Sequence, residues 1–244
     1  MRAMTLSIIM PVLNEATGIE AALAALAPLR ARGAELVVVD GGSSDDTASR
    51  AAPFADQVLS APRGRALQMN TGAAAARGDI LLFLHADTQL PQHADALVLD
   101  GLARSARAWG RFDVRFDEGG AMRVIGAMMN LRSRLTGIAT GDQAMFVTRG
   151  AFDQVGGFPP IALMEDVRLS TRLKRISQPL CLPTPALPSG RRWRKNGLVR
   201  TLLLMWRLRS AHFFGRDPAQ LARAYGYTGP ESPGSGDYPH SSTT

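Results

Sequence analysis

The sequence predicts an α/β fold: a mostly parallel, doubly wound sheet with helices on both faces and a C-terminal helical extension. Two observations lead to this prediction. Short runs of β-branched residues alternate with alanine-rich segments of helical spacing up to residue 85, as strands and helices do in parallel sheets. The chain has 244 residues, of which 45% are hydrophobic, so it is long enough for one large domain with a sizeable core.

The individual elements follow from these patterns in chain order. We predict strands at 5–10, 35–40, 57–60, 79–84, 111–116 and 144–148. We predict helices at 15–32, 46–52, 65–76, 122–135 and 163–176. RFDVRF (111–116) alternates polar and apolar residues, which is typical of a half-exposed strand. Four prolines in 179–188 require an extended or looped chain there.

Changes in composition divide the chain into three predicted parts. Residues 1–195 form the main domain, with one half at about 1–110 and the other at about 111–195. A helical extension follows at 196–228. The last residues, 229–244, lack core-forming side chains and are predicted to be a disordered tail.

The chain is basic, with a formal net charge of +7 and 28 basic residues that are almost all arginines. Because arginine makes forked contacts to carboxylate and phosphate, this balance indicates anionic partners, or else only a compositional bias. The arginines are scattered without interleaved aromatic residues, which argues against nucleic-acid binding. Cys181 is the only cysteine, so we expect no disulfide framework, in agreement with a reducing cytoplasm.

Neither apolar segment toward the ends of the chain predicts a membrane span. The N-terminal run is short and meets Pro11, unlike a signal peptide. The segment 197–215 carries three arginines, each of which costs about 2.5–3.5 kcal/mol near a bilayer centre. We expect this segment to lie on the domain, on a second subunit of a homodimer, or on a membrane surface. The predicted location is therefore the cytoplasm, with the inner face of the membrane as an alternative.

Polar residues follow three of the predicted parallel strands at their carboxyl ends. They are Asn14-Glu15, 40–47 (DGGSSDDT) and His85-Ala86-Asp87. Because these ends meet at one edge of a parallel sheet, we expect the three groups to share a ligand-binding crevice. Gly42 and Ser43 open a helix, and the backbone N–H groups there suit a phosphate or a ribose. Arg65, with Arg63, either contacts a phosphate or remains solvated.

Six stretches, in order and at regular spacing, extend this pattern over roughly residues 5–195. They are SIIMPVLNE (7–15), VVVDGGSSDDT (37–47), ILLFLHADT (80–88), GDQAMFV (141–147), GAFDQVGGF (150–158) and MEDVRLS (164–170). Together they resemble the family 2 glycosyltransferases, whose fold is called GT-A, and most of all a small bacterial branch with undefined acceptors. The resemblance implies a GT-A-like catalytic domain.

The family implies that a sugar moves from a nucleotide-sugar donor (a UDP-, GDP- or dTDP-sugar) to an acceptor hydroxyl. The implied reaction is of the hexosyltransferase type, inverts the configuration at the sugar, and needs Mn²⁺ or Mg²⁺. Its D-x-D metal element matches this chain at Asp87, and its general base matches Asp166, next to Glu165. The predicted donor-binding residues are Pro11, Glu15, Asp40, Gly42, Ser43, Arg65, His85 and Asp87. The predicted acceptor-binding residues are Asp142, Gln143, Arg192 and Trp193.

His85 departs from the family pattern, which usually has an aspartate at this position. Imidazole ligates Mn²⁺ but suits Mg²⁺ poorly, so His85 is either a metal ligand beside Asp87 or a partner for ribose or phosphate. A strand-end histidine with a structural role is a third option. The acceptor also stays open, and a lipid-linked acceptor is one candidate.

Two other functions remain as alternatives. A nucleotidyltransferase of related topology would need a basic, glycine-rich signature after the first strand, where the chain reads PVLNEATG. A non-catalytic nucleotide-sugar-binding protein would have no use for the Glu165-Asp166 pair. The chain has neither G-x-G-x-x-G after the first strand nor a P-loop motif, which weakens dinucleotide-dependent oxidoreductases and P-loop NTPases as candidates.

Overall fold

The structure is a computed structural model that describes residues 4–116 and 119–189. Several predictions concern residues outside this part of the chain. They are the helical extension 196–228 with its segment 197–215, the tail 229–244, and the side chains of Arg192 and Trp193.

Within the described residues the sheet has eight strands. They are β1 (Leu6–Val12), β2 (Glu35–Asp40), β3 (Gln57–Ser60), β4 (Ile80–Phe83), β5 (Thr88–Gln89), β6 (Trp109–Val114), β7 (Phe146–Thr148) and β8 (Leu180–Pro188). Their order across the sheet is β3-β2-β1-β4-β7-β6-β8-β5. All six predicted strands are present, and the α/β class is confirmed.

The described helices lie on both faces of this sheet. They are α1 (Ile19–Ala24), α2 (Ala27–Ala31), α3 (Thr47–Ala51), α4 (Arg65–Ala75), α5 (Ala94–Ala103), α6 (Gly119–Thr136), α7 (Arg149–Gln154) and α8 (Glu165–Leu173). Side chains of α1, α2, α3 and α5 pack on one face with Ile8, and side chains of α4, α7 and α8 pack on the other with Ile9. None of the described helices is long and apolar enough to cross a membrane.

The first four strands form the parallel half of the sheet. β1 lies between β2 and β4, and both neighbours run parallel to it, as β3 does to β2. β1, β2 and β4 are almost entirely buried, which explains why each is a continuous apolar run rather than an alternating one. Their carboxyl ends point to one edge, as the sequence predicts.

In the second half of the described sheet, β7 and β5 run against the direction of the other strands. β7 runs antiparallel to both β4 and β6, whereas β6 and β8 are parallel to each other. The backbone N–H of Phe83 donates to the carbonyl of Met145 at 2.8 Å, which ties the end of β4 to the segment before β7. Residues on either side of this junction build the candidate site.

The predicted single helix at 15–32 is wrong. Residues 15–18 form a turn, and the rest is divided between α1 and α2, with Pro28 in the first turn of α2. Proline has no N–H to donate and its ring would clash with the carbonyl of Ala24, so the helix cannot run through. Helix α8 begins later than predicted, at Glu165, because Met164 has a φ of +68°.

The expected alternation at 111–116 holds except at its first residue. Phe112, Val114 and Phe116 are buried, whereas Asp113 is partly exposed and Arg115 is exposed. Arg111, which the alternation places on a solvated face, is instead completely buried. Its guanidinium pairs with Asp113 and donates to the hydroxyl of Ser133 in α6 at 3.0 Å. Arg134, also in α6, donates twice to Asp113 at 2.7–2.8 Å. A buried charge is tolerated when it is paired, so these bonds fasten α6 to β6.

Replacing Asp113 by alanine should lower the free energy of unfolding by roughly 3 kcal/mol, because Arg111 would stay buried without its counter-charge. Urea denaturation followed by circular dichroism measures the loss. Asp100→Ala is the matched control, since Asp100 pairs with Arg104 on the surface, where an ion pair contributes little. A loss no larger than that of the control would contradict the role of this network.

Candidate active site

The loops after β1 and β2 are joined by hydrogen bonds. The backbone N–H of Asn14 donates to the Ser43 hydroxyl at 2.9 Å, and the N–H of Ser44 donates to the Asn14 side chain at 2.8 Å. The N–H of Glu15 donates to the Thr47 hydroxyl at 2.8 Å. Asn14 has a φ of +53°, a conformation that asparagine adopts more readily than most residues. Hydrogen bonds therefore join two of the three predicted polar groups, Asn14-Glu15 and 40–47.

Asp40 lies at the end of β2 with a buried carboxylate that is held locally. One of its oxygens accepts from the backbone N–H groups of Gly42 at 3.0 Å and Ser43 at 2.9 Å. The other accepts from the Ser43 hydroxyl. Gly42 has a φ of +84°, which lets the chain turn back over the carboxylate. The orientation of Asp40 toward the loop is thus fixed without any ligand.

Gln68 in α4 supports these loops from below, and the sequence reasoning missed it. Its buried amide nitrogen donates to the carbonyls of Val12 at 2.8 Å and Val39 at 2.9 Å, near the ends of β1 and β2. A Cβ atom added at Gly41 would lie 2.9 Å from the Gln68 amide, so any residue larger than glycine would displace this amide. The one sequence signal for this role is a polar residue on the apolar face of a helix.

The third polar group, His85, lines a narrow cleft beyond the end of β4. The cleft is lined by Met69, Phe83, His85, Gly141, Met145, Phe158, Glu165 and Asp166. Its walls are apolar except at His85 and at the two carboxyl groups. The structure therefore brings His85, Glu165 and Asp166 together, although they are about 80 residues apart in the sequence.

Gly141 contacts both His85 and Asp166. Its backbone N–H donates to the Asp166 carboxylate at 2.8 Å. A Cβ atom at this position would lie 2.4 Å from Cε1 of His85. The second carboxylate oxygen of Asp166 accepts from the N–H of Val167 at 2.7 Å. Asp142, the next residue, has its carboxylate 3.7 Å from Nδ1 of His85.

Glu165 is the electrostatically unusual residue of the cleft. It is buried, and this burial raises its pKa to about 7, with the negative charge of Asp166 acting in the same direction. Arg65 and His85 oppose the rise. Glu165 therefore takes up a proton more readily than an exposed glutamate does, and the positive charge of Arg65 acts against this uptake.

The remaining predicted residues hold different positions around the cleft. Gln143 is completely buried, and its side-chain oxygen accepts from the backbone N–H of Thr140 at 3.2 Å, so it braces the 140–143 loop from inside. Asp142 is partly exposed. Asp87 follows in the loop after β4, where its carbonyl accepts from the N–H of Ser189 at 2.8 Å. Among the described residues no group of three His, Cys, Asp or Glu side chains is arranged to hold a metal ion.

The family model for glycosyl transferase family 2 matches residues 7–157. The chain belongs to glycosyl transferase family 2. The matched part of this family 2 enzyme includes Asp40, His85, Asp87 and Gly141, and it ends before Glu165 and Asp166. No curated protein matches the sequence.

Solved glycosyltransferases share the GT-A fold of this family 2 enzyme. S. aureus TarS aligns at a TM-score of 0.63 and 16% identity, over 76% of this chain and 37% of TarS. Glucosyl-3-phosphoglycerate synthase from Mycobacterium tuberculosis, in complex with Mn²⁺, uridine diphosphate and phosphoglyceric acid, aligns at 0.60 and 21% identity, over 81% of this chain and 75% of the synthase. The chain thus spans little more than a third of the length of TarS.

A third structure covers more of this chain. The mannosyltransferase PcManGT from Pyrobaculum calidifontis, in complex with GDP-Man and Mn²⁺, aligns at a TM-score of 0.59 and 21% identity, over 93% of this chain and 70% of PcManGT. At such identities these likenesses establish the fold, and the substrates belong to the relatives themselves.

Replacing Gly141 by alanine should displace the His85 ring, because the new Cβ would lie within 2.6 Å of two of its atoms. We expect a loss of roughly 1–3 kcal/mol in the free energy of unfolding. Urea denaturation measures the loss, and the His85 ring resonances in an NMR spectrum report the displacement. In Gly150→Ala the new Cβ meets nothing within 4 Å inside α7, so that control should be neutral or slightly stabilising. Equal tolerance of both substitutions would refute the close contact.

The stability of the enzyme should fall as the pH rises from 4.5 through about 7, because folding raises the pKa of Glu165 and the folded state then holds its proton more tightly. Glu165→Gln should remove this slope and stabilise the enzyme by on the order of 2–3 kcal/mol at about pH 8. Urea denaturation across this pH range measures both. Glu20→Gln, a change at an exposed pair with Arg50, should keep the slope. An unchanged slope in Glu165→Gln would show that Glu165 is not its source.

Proposed function

We propose that this family 2 enzyme moves a sugar from a nucleoside-diphosphate donor to an acceptor hydroxyl in a metal-dependent, inverting displacement. The observation that carries the proposal is the cleft in which His85, Gly141 and Asp166 meet beyond the end of β4. In this arrangement the proposed metal ligand and the proposed base both contact one glycine, which supports the proposal. The relatives solved with UDP-GlcNAc, or with Mn²⁺ and GDP-Man, support a donor of this class.

The donor's nucleoside is proposed to bind at the joined loops after β1 and β2. Pro11, Glu15, Asp40, Gly42 and Ser43 lie on or beside these loops. Asp40 accepts hydrogen bonds through both carboxylate oxygens, and a base N–H can take the place of the Ser43 hydroxyl on one of them. Arg65, whose charge reaches the cleft, is proposed to contact the diphosphate.

Asp87 and His85 are the proposed ligands of the divalent metal. A carboxylate and an imidazole fit Mn²⁺ better than Mg²⁺, which prefers oxygen ligands alone. Such an ion supplies positive charge to the diphosphate leaving group as the glycosidic bond breaks. With two protein ligands, phosphate oxygens of the donor and water would provide the remaining positions.

Asp166 is the proposed general base. The N–H groups of Gly141 and Val167 each hold one of its oxygens, so the carboxylate has a fixed direction in the cleft. As the acceptor oxygen forms a bond to C1 of the sugar, the bond from C1 to the diphosphate oxygen breaks, and the hydroxyl proton passes to Asp166. One displacement of this kind inverts the configuration at C1.

Neighbouring groups are proposed to assist the base. Burial raises the pKa of Glu165 to about 7, so this carboxyl group takes up a proton readily, and that limits the repulsion between the two adjacent carboxyl groups. Asp142, exposed beside His85, is proposed to contact the acceptor, with Gln143 holding its loop in place. Roles for Arg192 and Trp193 in acceptor binding remain predictions from the family pattern.

A panel of nucleotide sugars with Mn²⁺ tests this function through the release of nucleoside diphosphate. Asp166→Asn should lower kcat by at least about 100-fold yet keep the rise in Tm that donor and Mn²⁺ produce, because the base acts only in the chemical step. Asp87→Ala should abolish that rise. Asp153→Asn, on the exposed side of α7, is the matched control and should change neither quantity. Absence of both release and thermal shift for every donor would refute the proposal.

A further inference from the structure

The loop after β1 directs its backbone N–H groups to side chains of the loop after β2. Three successive residues, 14–16, donate in this way. Their acceptors are the hydroxyls of Ser43 at 2.9 Å and Thr47 at 2.8 Å, and the carboxylate of Asp45 at 3.2 Å. A backbone N–H group that is already bonded is not free for a phosphate of the donor. The loop after β1 therefore uses these groups to hold the neighbouring loop.

Asn14 bonds to the opposite loop in both directions. Its N–H donates to the Ser43 hydroxyl, while its side-chain oxygen accepts from the N–H of Ser44 at 2.8 Å and from the Ser44 hydroxyl at 3.3 Å. Its φ of +53° is a conformation that asparagine and glycine adopt at less cost than other residues. Asparagine thus supplies both the backbone conformation and the acceptor atom. Glycine would supply only the conformation, and alanine would supply neither.

The bonds of Asn14 lead directly to Asp40. The Ser43 hydroxyl, which accepts from the Asn14 N–H, donates in turn to the Asp40 carboxylate. The N–H groups of Gly42 and Ser43 also donate to Asp40, and that of Ser44 donates to Asn14. All backbone N–H groups of 42–44 are therefore bonded within the two loops. They orient Asp40 rather than bind a phosphate, which differs from the expectation for Gly42 and Ser43.

These hydrogen bonds join two loops that bury few side chains. Asn14, Gly42, Ser44 and Asp45 are all exposed. Exposed loops with few apolar contacts open locally at low free energy, so each bond between them matters for how often they are together. When a site is formed in only a fraction of the molecules, the apparent affinity for its ligand falls by that same fraction. The bonds of Asn14 thus bear on the affinity for the nucleoside.

We propose that Asn14 is a positioning residue that holds the loops after β1 and β2 in the nucleoside-binding arrangement before a donor arrives. The inference rests on the proposed function, in which Asp40 contacts the base. Asn14 acts through Ser43 and Ser44 and contacts none of the reacting atoms. It therefore sets the affinity for the donor and leaves the chemical step unchanged.

Three substitutions at Asn14 test the proposal through the binding of UDP, dTDP and GDP, each measured with Mn²⁺ by isothermal titration calorimetry. Asn14→Gly keeps the backbone conformation but loses the acceptor. It should weaken binding of the tightest of these nucleotides about five- to tenfold, the effect of one lost hydrogen bond. Asn14→Ala should weaken binding further, because alanine also disfavours the positive φ. Asn14→Asp retains an acceptor oxygen and should stay within about twofold of the wild type.

Release of nucleoside diphosphate from the matching nucleotide sugar separates positioning from other effects. Asn14→Gly should raise KM by a factor similar to the rise in Kd and keep kcat within about twofold. A merely structural role would instead reduce the amount of active enzyme, which lowers the apparent kcat and leaves Kd unchanged. Gln92→Gly removes an amide side chain from another exposed loop, so this matched control should change neither KM nor Kd.

Three results would overturn this inference while the proposed function stands. The first is equal affinity of Asn14→Gly and the wild type, since the nucleoside site would then form without Asn14. The second is a fall in kcat that accounts for the lost activity. The third is a loss of affinity in Asn14→Asp as large as that in Asn14→Gly, because the acceptor oxygen would then have no role. If the wild type binds none of the three nucleotides, the proposed function fails together with the inference.

Discussion

The active site depends on the absence of a side chain at Gly141. The backbone N–H at this position donates to the Asp166 carboxylate, and the Cα is packed against the His85 ring. The proposed metal ligand and the proposed base are therefore both held against one residue. Since His85 follows β4 and Gly141 precedes β7, this contact also joins the parallel strands to the strand that runs against them.

That arrangement requires the strands beneath it to keep their register, and α4 helps to hold them. Near its N-terminal end, Gln68 donates to the last carbonyl of β1 and to the second-last carbonyl of β2. At its other end, the guanidinium of Arg149 donates to the carbonyls of Ala73, Ala76 and Gly78 at 2.7–3.0 Å. These carbonyls lie at the end of the helix and just beyond it, where no further turn satisfies them. Helix α4 is thus bonded at one end to β1 and β2 and at the other to the start of α7.

The parallel strands could be predicted because the residues that specify each strand lie within it and at its ends. Runs such as 35–40 are apolar throughout, and a polar residue such as Asp40 marks where the strand leaves the core. The convergence of Asn14, Asp40 and His85 on one edge then follows from the geometry of parallel strands. The roles assigned to Asp87 and Asp166 came instead from resemblance to a family, and they remain proposals.

The features that escaped prediction depend on partners far along the chain. Arg111 is buried because Asp113 and Ser133 receive its charge and hydrogen bonds, and no pattern within 111–116 contains that information. The contact between Gly141 and His85 likewise arises only when β7 pairs with β4 in the antiparallel direction. The break between α1 and α2 is different, because it is a local effect of Pro28. It escaped prediction because the helical spacing of the leucines in 15–32 was given more weight than the proline.

Helix α6 connects the outer surface to the cleft through short, bonded links. At its end, the Thr136 carbonyl accepts from the ammonium of Lys174, just after α8. One turn earlier, in α8, the Ser170 hydroxyl accepts from the N–H of Ala139. The helix that begins with Glu165 and Asp166 is therefore fastened to the segment that leads from α6 to Gly141.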